Sequence, residues 1–188
     1  MRPGVFGRFC ATLLRLFGWR VIFVPPTMPK AVVIVYPHTS NWDFIVGILA
    51  RFAIALPAHW VGKDSLFHPP FGTLFRRLGG IPVNRRQSTG FADGLIKAFD
   101  KTDSLYLAIA PEGTRSKVKY WKSGFYRVAL AANVPLGLAF IDYSRNEVGI
   151  DTWLSLSGNE VEDLAGIRAF YSAKRGKRPE KEGEIRFR

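Results

Sequence analysis

Two short runs of consecutive apolar residues constrain the fold of this chain more than any other feature of its sequence. Residues 31–36 read AVVIVY and residues 105–110 read LYLAIA, and each run is followed directly by a proline. A strand with one face in water alternates apolar and polar residues, whereas a strand covered on both faces is apolar throughout. Both runs are therefore predicted to be buried inner strands of a parallel sheet.

Strand-like and helix-like stretches alternate along the rest of the chain. Strands are predicted at 21–24, 31–36, 60–62, 81–83, 105–110, 136–143 and 147–150, and helices at 41–56, 71–78, 89–99, 125–132 and 161–174. This alternation is typical of α/β proteins, and 188 residues suit one domain. The predicted fold class is α/β: a single layered domain with a mostly parallel central sheet flanked by helices, preceded by an amphipathic N-terminal helix.

The charge of the chain predicts an anionic partner. Lysine and arginine number 27 against 15 acidic residues, a net charge of +12. Such an excess suits nucleic acid, acidic lipid headgroups or a phosphorylated substrate. The single cysteine, Cys10, excludes an intrachain disulfide and a cysteine-cluster zinc site, and three histidines without close spacing predict no metal. No apolar run reaches the roughly 18 residues that a membrane-spanning helix needs.

The N-terminal segment is basic and amphipathic. Residues 1–30 contain no acidic side chain, and their basic residues are Arg2, Arg8, Arg15, Arg20 and Lys30. One face of a helix would carry the apolar residues Phe6, Cys10, Leu13 and Phe17, with Phe9 and Leu16 beside them. This one-sided charge favours a helix lying on an anionic membrane surface. The alternative is a helix packed on the domain with its arginines in water.

A first polar cluster, His38 to Asp43, follows the first buried strand. Functional groups of open α/β folds collect at the carboxyl ends of strands, where this segment falls. With His38 in a loop and Asp43 in the first turn of a helix, the carboxylate can orient the imidazole, whose other nitrogen can then accept a hydroxyl proton. Alternatively, Ser40 and Asp43 form a capping box and the carboxylate only caps the helix.

A second polar cluster follows the second buried strand. Glu112, Gly113, Thr114 and Arg115 come directly after Pro111. The glycine permits a tight turn, the threonine offers a hydroxyl, and the arginine offers a planar fork for a phosphate or carboxylate. Two strands that end in such residues predict one shared pocket, although a turn of this composition is also common on protein surfaces.

The sequence contains no motif for a covalent nucleophile or a nucleotide. It has no G-x-S-x-G elbow, no Walker A loop and no G-x-G-x-x-G. Cys10 is far in sequence from both polar clusters. This favours direct attack by an activated acceptor hydroxyl.

Four ordered blocks resemble the glycerophospholipid (lysophospholipid) acyltransferase family, in particular the bacterial 1-acyl-sn-glycerol-3-phosphate acyltransferases. His38 to Asp43 matches the H-x4-D motif, and residues 79–85 resemble the G-x-I-x-x-x-R block. Residues 111–116 read PEGTRS, like the third block, and Val134-Pro135 before an apolar strand resembles the fourth. The resemblance covers roughly residues 31–141.

This resemblance implies transfer of a fatty acyl group from acyl-CoA or acyl carrier protein to a lysophospholipid hydroxyl, with no further cofactor. The implied catalytic residues are His38 as general base and Asp43 as its orienting partner. The implied acceptor and phosphate-binding residues are Arg85, Glu112, Gly113, Thr114 and Arg115. Residues 1–24 would form an amphipathic membrane-surface segment, 25–174 the acyltransferase domain, and 175–188 a charged, loosely attached tail.

The expected partners are therefore anionic membrane lipids, the acyl donor and a lysophospholipid, and the expected location is the cytoplasmic face of the inner membrane. The same chemistry on another lipid hydroxyl, such as that of a lyso-aminolipid, stays open. A nucleic-acid-binding module would suit the charge, but no recognition-helix, zinc-finger or RNA-binding signature is present. A membrane-binding protein that has lost activity would not need an intact H-x4-D motif.

Overall fold

The computed structural model describes residues 2–83 and 90–188. The helices are α1 (Val5–Leu16), α2 (Trp42–Ala53), α3 (Gly72–Arg77), α4 (Phe91–Lys101), α5 (Gly124–Ala131) and α6 (Glu160–Tyr171). The strands are β1 (Arg20–Phe23), β2 (Lys30–Val35), β3 (Ala58–Lys63), β4 (Gly80–Val83), β5 (Leu105–Ile109), β6 (Leu136–Asp142) and β7 (Glu147–Leu154). Short 3-10 turns lie at Asp64–Phe67 and Pro179–Lys181.

The strands form one sheet in the order β1-β7-β6-β2-β5-β3-β4. All neighbouring strands in the described chain are parallel except β6 and β7, which are joined by a short turn and run antiparallel. The two apolar runs are β2 and β5, which pair with each other near the centre of the sheet. The predicted α/β class, the mostly parallel sheet and the N-terminal helix are therefore confirmed.

Helices cover both faces of the sheet, which explains why its inner strands are apolar throughout. Alternate residues of β2 point to opposite sides. Val32 and Ile34 join the core beneath α4, α5 and α6, whereas Ala31 and Val33 face the side that carries α2. Side chains of α1 and α2 pack together over β6 and β7 through Cys10, Leu14, Val46, Ala50, Ala53, Ile141 and Val148.

The N-terminal helix packs on the domain through only part of the apolar face that its sequence predicts. Gly7, Cys10 and Leu14 are its buried residues, and a Cβ at Gly7 would come within 2.6 Å of the Phe52 carbonyl oxygen on α2. Phe6 and Phe17, predicted to share a face with Cys10, are instead exposed. The close approach of α2 requires a small residue at position 7, and the aromatic side chains of the helix stay available for another surface. In the described ranges no helix is long and apolar enough to cross a bilayer.

The C-terminal tail, residues 175–188, is docked against the domain, so the expectation of a loose attachment is wrong. The ring of Phe187 lies 5.8 Å from that of Phe125 and 5.5 Å from that of Tyr126. Ile185 packs against the same core, and the Trp121 N–H donates to the Arg186 carbonyl over 2.8 Å. Apolar residues dispersed among the charges of the tail hold it in place.

Candidate active site

A cavity of about 1520 Å³ opens at the carboxyl ends of β2 and β5 and extends between α2 and the sheet. Because β2 and β5 are adjacent and parallel, the loops that follow them meet at one edge of the sheet. His38 and Asp43 line the cavity from the first loop, and Gly113, Thr114 and Arg115 line it from the second. Its apolar wall includes Val33, Val35, Ile45, Ile48, Ile54, Leu56 and Ala139. The structure thus brings both polar clusters to one pocket.

His38 and Asp43 are in contact inside this cavity. The imidazole Nδ1 lies 3.5 Å from Asp43 Oδ2, and the two side chains are 18% and 1% exposed. This separation is longer than an ordinary hydrogen bond, and Nδ1 is buried without a hydrogen-bond partner among the described residues. Hydrogen bonds of catalytic pairs often tighten when a substrate binds. The arrangement therefore fits a carboxylate that can orient an imidazole.

Asp43 also forms one half of the predicted capping box, because its carboxylate binds N–H groups of the loop before α2, but it binds no N–H group of the helix itself. Its Oδ2 accepts hydrogen bonds from the N–H groups of Thr39 at 2.7 Å and Ser40 at 2.8 Å. Its Oδ1 accepts from the Tyr143 hydroxyl at 2.9 Å. Burial alone would raise the pKa of Asp43, but the His38 ring, the Ser40 N–H and the Tyr143 hydroxyl hold it below its usual value. A buried, ionised carboxylate next to His38 is the result.

Glu112 differs from the other residues of its cluster because its carboxylate binds backbone groups and does not line the main cavity. Its Oε2 accepts from the His38 N–H at 2.9 Å, and its Oε1 accepts from the Gly183 N–H at 2.8 Å. Burial raises the pKa of Glu112 to about 7, although both N–H groups oppose the change. This carboxyl group ties the His38 loop to the C-terminal tail, so its effect on the site passes through the backbone of His38.

The remaining residues of the second cluster face the cavity. Gly113 has a φ of +65°, which favours glycine, and a Cβ there would approach the Lys122 side chain to 3.1 Å. The Arg115 Nε is buried and has no hydrogen-bond partner among the residues that the structure describes. A guanidinium with an unused donor on a cavity wall suits an anionic ligand. Arg85, predicted to bind phosphate, lies outside the described residues.

The cavity lining is rich in basic side chains. They are Arg51, Lys63, Arg115, Lys122, Arg127, Arg178, Lys181 and Arg188, whereas the acidic side chains on the described lining are Asp43 and Glu160. The net charge of the chain is thus partly concentrated around the candidate site, where it would attract a phosphorylated or otherwise anionic substrate. The described part of the chain holds no group of three or more metal-binding side chains.

Sequence reasoning missed the contribution of the C-terminal tail and of Tyr143. In the tail, the Arg178 N–H donates to Thr39 Oγ1 over 3.1 Å, and the Gly183 carbonyl accepts from the Tyr36 hydroxyl at 3.1 Å. These bonds join segments about 140 residues apart, and nothing in the local pattern of either segment signals them. Tyr143 follows β6 immediately and belongs to none of the recognised blocks.

The exposed face of α1 is strongly apolar. Its exposed large side chains are Val5, Phe6, Phe9 and Leu16, followed by Phe17 directly after the helix. Trp42 and Ile45 at the start of α2 are also about half exposed and line the cavity. Monomeric soluble proteins rarely expose large apolar patches, and such patches usually mark a site of interaction with a protein, a ligand or a membrane.

Comparisons with known proteins give a family for the chain and a similar fold. The family model described as "Acyltransferase" matches residues 24–137, which contain both polar clusters. The fold is similar to the crystal structure of the 1-acyl-sn-glycerophosphate (LPA) acyltransferase PlsC from Thermotoga maritima. The TM-score is 0.57 at 19% sequence identity, and the similarity covers 92% of this chain and 80% of that one. A search of curated protein sequences gave no match.

Proposed function

The chain belongs to the acyltransferase family, and on that premise we propose that it transfers a fatty acyl group from an acyl thioester to the hydroxyl of a lysophospholipid such as 1-acyl-sn-glycerol-3-phosphate. The acyl donor would be acyl-CoA or acyl carrier protein. The observation that carries the proposal is the contact between His38 and the buried Asp43 at the mouth of a large, mainly apolar cavity. A base beside a space that can hold a lipid chain is what this reaction requires.

In the proposed mechanism, Asp43 holds the imidazole of His38 in one orientation through Nδ1. Nε2 then accepts the proton of the acceptor hydroxyl as its oxygen attacks the thioester carbonyl carbon. The carbon–sulfur bond breaks, the carbon–oxygen ester bond forms, and the proton passes from His38 to the departing thiolate. The carboxylate stabilises the transient imidazolium without itself being protonated.

The oxyanion of the tetrahedral intermediate needs hydrogen-bond donors. The N–H groups at the start of α2 are already engaged: Trp42 donates to Ser40 Oγ, Asp43 to the Ser40 carbonyl and Phe44 to the Asn41 carbonyl. This argues against the first turn of α2 as the oxyanion site. Basic side chains of the cavity lining are better candidates for the oxyanion donors. One of them is Arg115, whose Nε has no hydrogen-bond partner among the described residues.

The same basic lining supports the choice of a phosphorylated acceptor. Arg115 and Lys122 approach the cavity from the loop after β5, and Arg178 and Lys181 approach it from the tail. An ester phosphate placed between them would be paired with several cations, which strengthens its binding. Gly113 and Thr114 would shape this region, and Arg85 would contribute as the family resemblance implies.

The apolar face of α1 supports a peripheral location on an anionic membrane. Aromatic side chains on an exposed helix, with Arg8 and Arg15 on the same helix, are typical of helices that lie in the lipid–water interface. Trp42 and Ile45 are about half exposed and also line the cavity, so a lipid acceptor could enter beside them. We place the protein on the cytoplasmic face of the inner membrane, where acyl thioesters are available.

The proposal is tested by incubating the purified protein with labelled acyl-CoA or acyl carrier protein and a panel of lysophospholipids and lyso-aminolipids. We expect acylated lysophosphatidic acid as the main product, and His38→Ala and Asp43→Asn should each lose more than about 99% of the turnover. His59→Ala is the matched control because His59 is exposed on β3 and does not line the cavity. Near-normal turnover in either site variant, or no product from any acceptor, would contradict the proposal.

A further inference from the structure

Tyr143 donates a hydrogen bond to the candidate catalytic carboxylate from outside the cavity. Its hydroxyl lies 2.9 Å from Asp43 Oδ1, and Tyr143 is absent from the cavity lining. We propose that Tyr143 is a positioning residue that fixes the orientation of the Asp43 carboxylate and stabilises its charge, and that it acts on His38 through Asp43. This inference rests on the proposed function for its catalytic meaning, but its physical content can be tested separately.

The two carboxylate oxygens of Asp43 have different partners, so the contribution of Tyr143 can be separated from that of the backbone N–H groups. Oδ2 accepts the N–H groups of Thr39 and Ser40 and faces His38 Nδ1. Oδ1 is bound by Tyr143, and the described residues supply it with no second donor. Because the Asp43 side chain is 1% exposed, water does not readily replace this bond. Loss of the hydroxyl would leave a buried carboxylate oxygen unsatisfied.

The ring of Tyr143 is held in place by residues from both ends of the chain. The ring of Trp19, just after α1, meets it edge-on at a centroid distance of 4.9 Å and an angle of 85°. The Lys177 ammonium of the tail lies 5.8 Å above it, and the Tyr143 N–H donates to the Arg175 carbonyl over 2.8 Å. These contacts come from segments far from Tyr143 in the sequence, and together they orient its hydroxyl towards Asp43.

The charged groups around this unit determine how its titration should change. His38 and the Tyr143 hydroxyl both lower the pKa of Asp43, and the charge of Asp43 contributes to the raised pKa of Glu112. Lys177 is the cation that faces the Tyr143 ring. Burial and the neighbouring Asp43 keep the pKa of Tyr143 far above neutral pH, so the phenol remains a hydrogen-bond donor. Removing this donor makes Asp43 a stronger partner for the imidazolium form of His38.

The experiment compares Tyr143→Phe with Tyr126→Phe. Tyr126 is the matched control because its hydroxyl also donates to an aspartate, Asp163 Oδ2, over 2.8 Å, and neither residue lines the cavity. In Tyr143→Phe we expect kcat to fall about tenfold with an unchanged acceptor KM, and the acid limb of kcat/KM to move up by about half a pH unit. Tyr126→Phe should keep the kcat and the pH profile of the wild type.

An NMR titration of the His38 imidazole provides a readout that does not depend on turnover. We expect the midpoint to move to higher pH in Tyr143→Phe and to stay in place in Tyr126→Phe, with the signal assigned by its loss in His38→Ala. An unshifted midpoint in Tyr143→Phe overturns the inference even if the enzyme is active. A shifted midpoint without turnover of any acceptor supports it and contradicts only the proposed function.

A second variant keeps the test decisive if Tyr143→Phe does not fold. Trp19→Leu retains the phenol but removes the aromatic edge that holds its ring. We expect smaller changes in the same directions, namely a higher midpoint for His38 and a lower kcat. A folded Trp19→Leu protein with wild-type titration and kcat would overturn the inference, because the ring would then not need this support.

Discussion

The buried carboxyl of Glu112 makes a sharp prediction about how stability depends on pH. Its two oxygens bind the N–H groups of His38 and Gly183, and burial raises its pKa from 4.5 to about 7. Glu112→Gln replaces it with an amide of the same shape that does not titrate. The amide NH2 faces one of the two backbone N–H groups, and the resulting loss of stability does not depend on pH. The comparison of wild type and variant therefore isolates the titration of this one group.

The magnitude follows from proton linkage. Between pH 4.5 and about 7, folded Glu112 holds its proton while the unfolded chain releases it, so rising pH destabilises the folded wild type. At about 1.4 kcal/mol for each tenfold change in proton affinity, this loss totals about 3 kcal/mol by pH 8. The stabilising contribution is complete below pH 4.5 and is lost as the pH passes through the folded pKa.

The assay is urea unfolding of both proteins from pH 4 to pH 8.5. We expect the free energy of unfolding of Glu112→Gln, relative to wild type, to rise by about 3 kcal/mol across this range. Glu184→Gln is the control, since Glu184 is exposed, and it should stay within about 0.5 kcal/mol of wild type throughout. A flat difference for Glu112→Gln, or one that falls with pH, would refute the reasoning, because the two N–H groups would then outweigh burial.

Three further predictions address the membrane surface, the sheet and the tail. Leu16→Asp should reduce co-sedimentation of the protein with anionic vesicles several-fold, because it places a charge on the apolar face of α1. Val161→Asp is the control: Val161 is about equally exposed on α6, and this variant should bind vesicles like wild type. Gly149→Ala should lower the free energy of unfolding, measured in urea melts, by more than about 4 kcal/mol, because the new Cβ would lie 1.7 Å from the Ile22 carbonyl oxygen. A loss below about 1 kcal/mol would contradict the pairing of β1 with β7. Deletion of residues 175–188 should abolish acyl transfer and lower the melting temperature in a thermal scan, since it removes Gly183 and Arg178, whose N–H groups bind Glu112 and Thr39. An active truncation with an unchanged melting temperature would show that the tail does not support the site.

The amino-acid sequence by itself determined the local elements and the identity of the polar clusters. The apolar runs at β2 and β5 could be recognised because a strand covered on both faces has a simple pattern, and most predicted helices and strands lie within three residues of their observed bounds. His38 and Asp43 could be paired because only four residues lie between them, and a loop leading into a helix has few ways to place two such residues.

The tertiary structure decided which distant segments support those clusters. Glu112 was predicted to meet an acceptor, but the sheet order brings it under the backbone of His38 and beside Gly183. Tyr143 reaches Asp43 only because β6 ends next to the start of α2. The tail was predicted to be loosely attached because charges dominate its composition, yet its few aromatic and aliphatic residues pack against the hydrophobic core.

The physical reason for this division is the range of the interactions. Hydrophobic periodicity, turn-forming residues and helix capping involve residues that are close in sequence, so they can be recognised from the sequence alone. Contacts between segments a hundred residues apart depend on strand order, on which face of a helix meets its neighbour, and on which buried polar groups still need partners. In this protein those long-range contacts complete the candidate active site, and they come into being only when the sheet assembles.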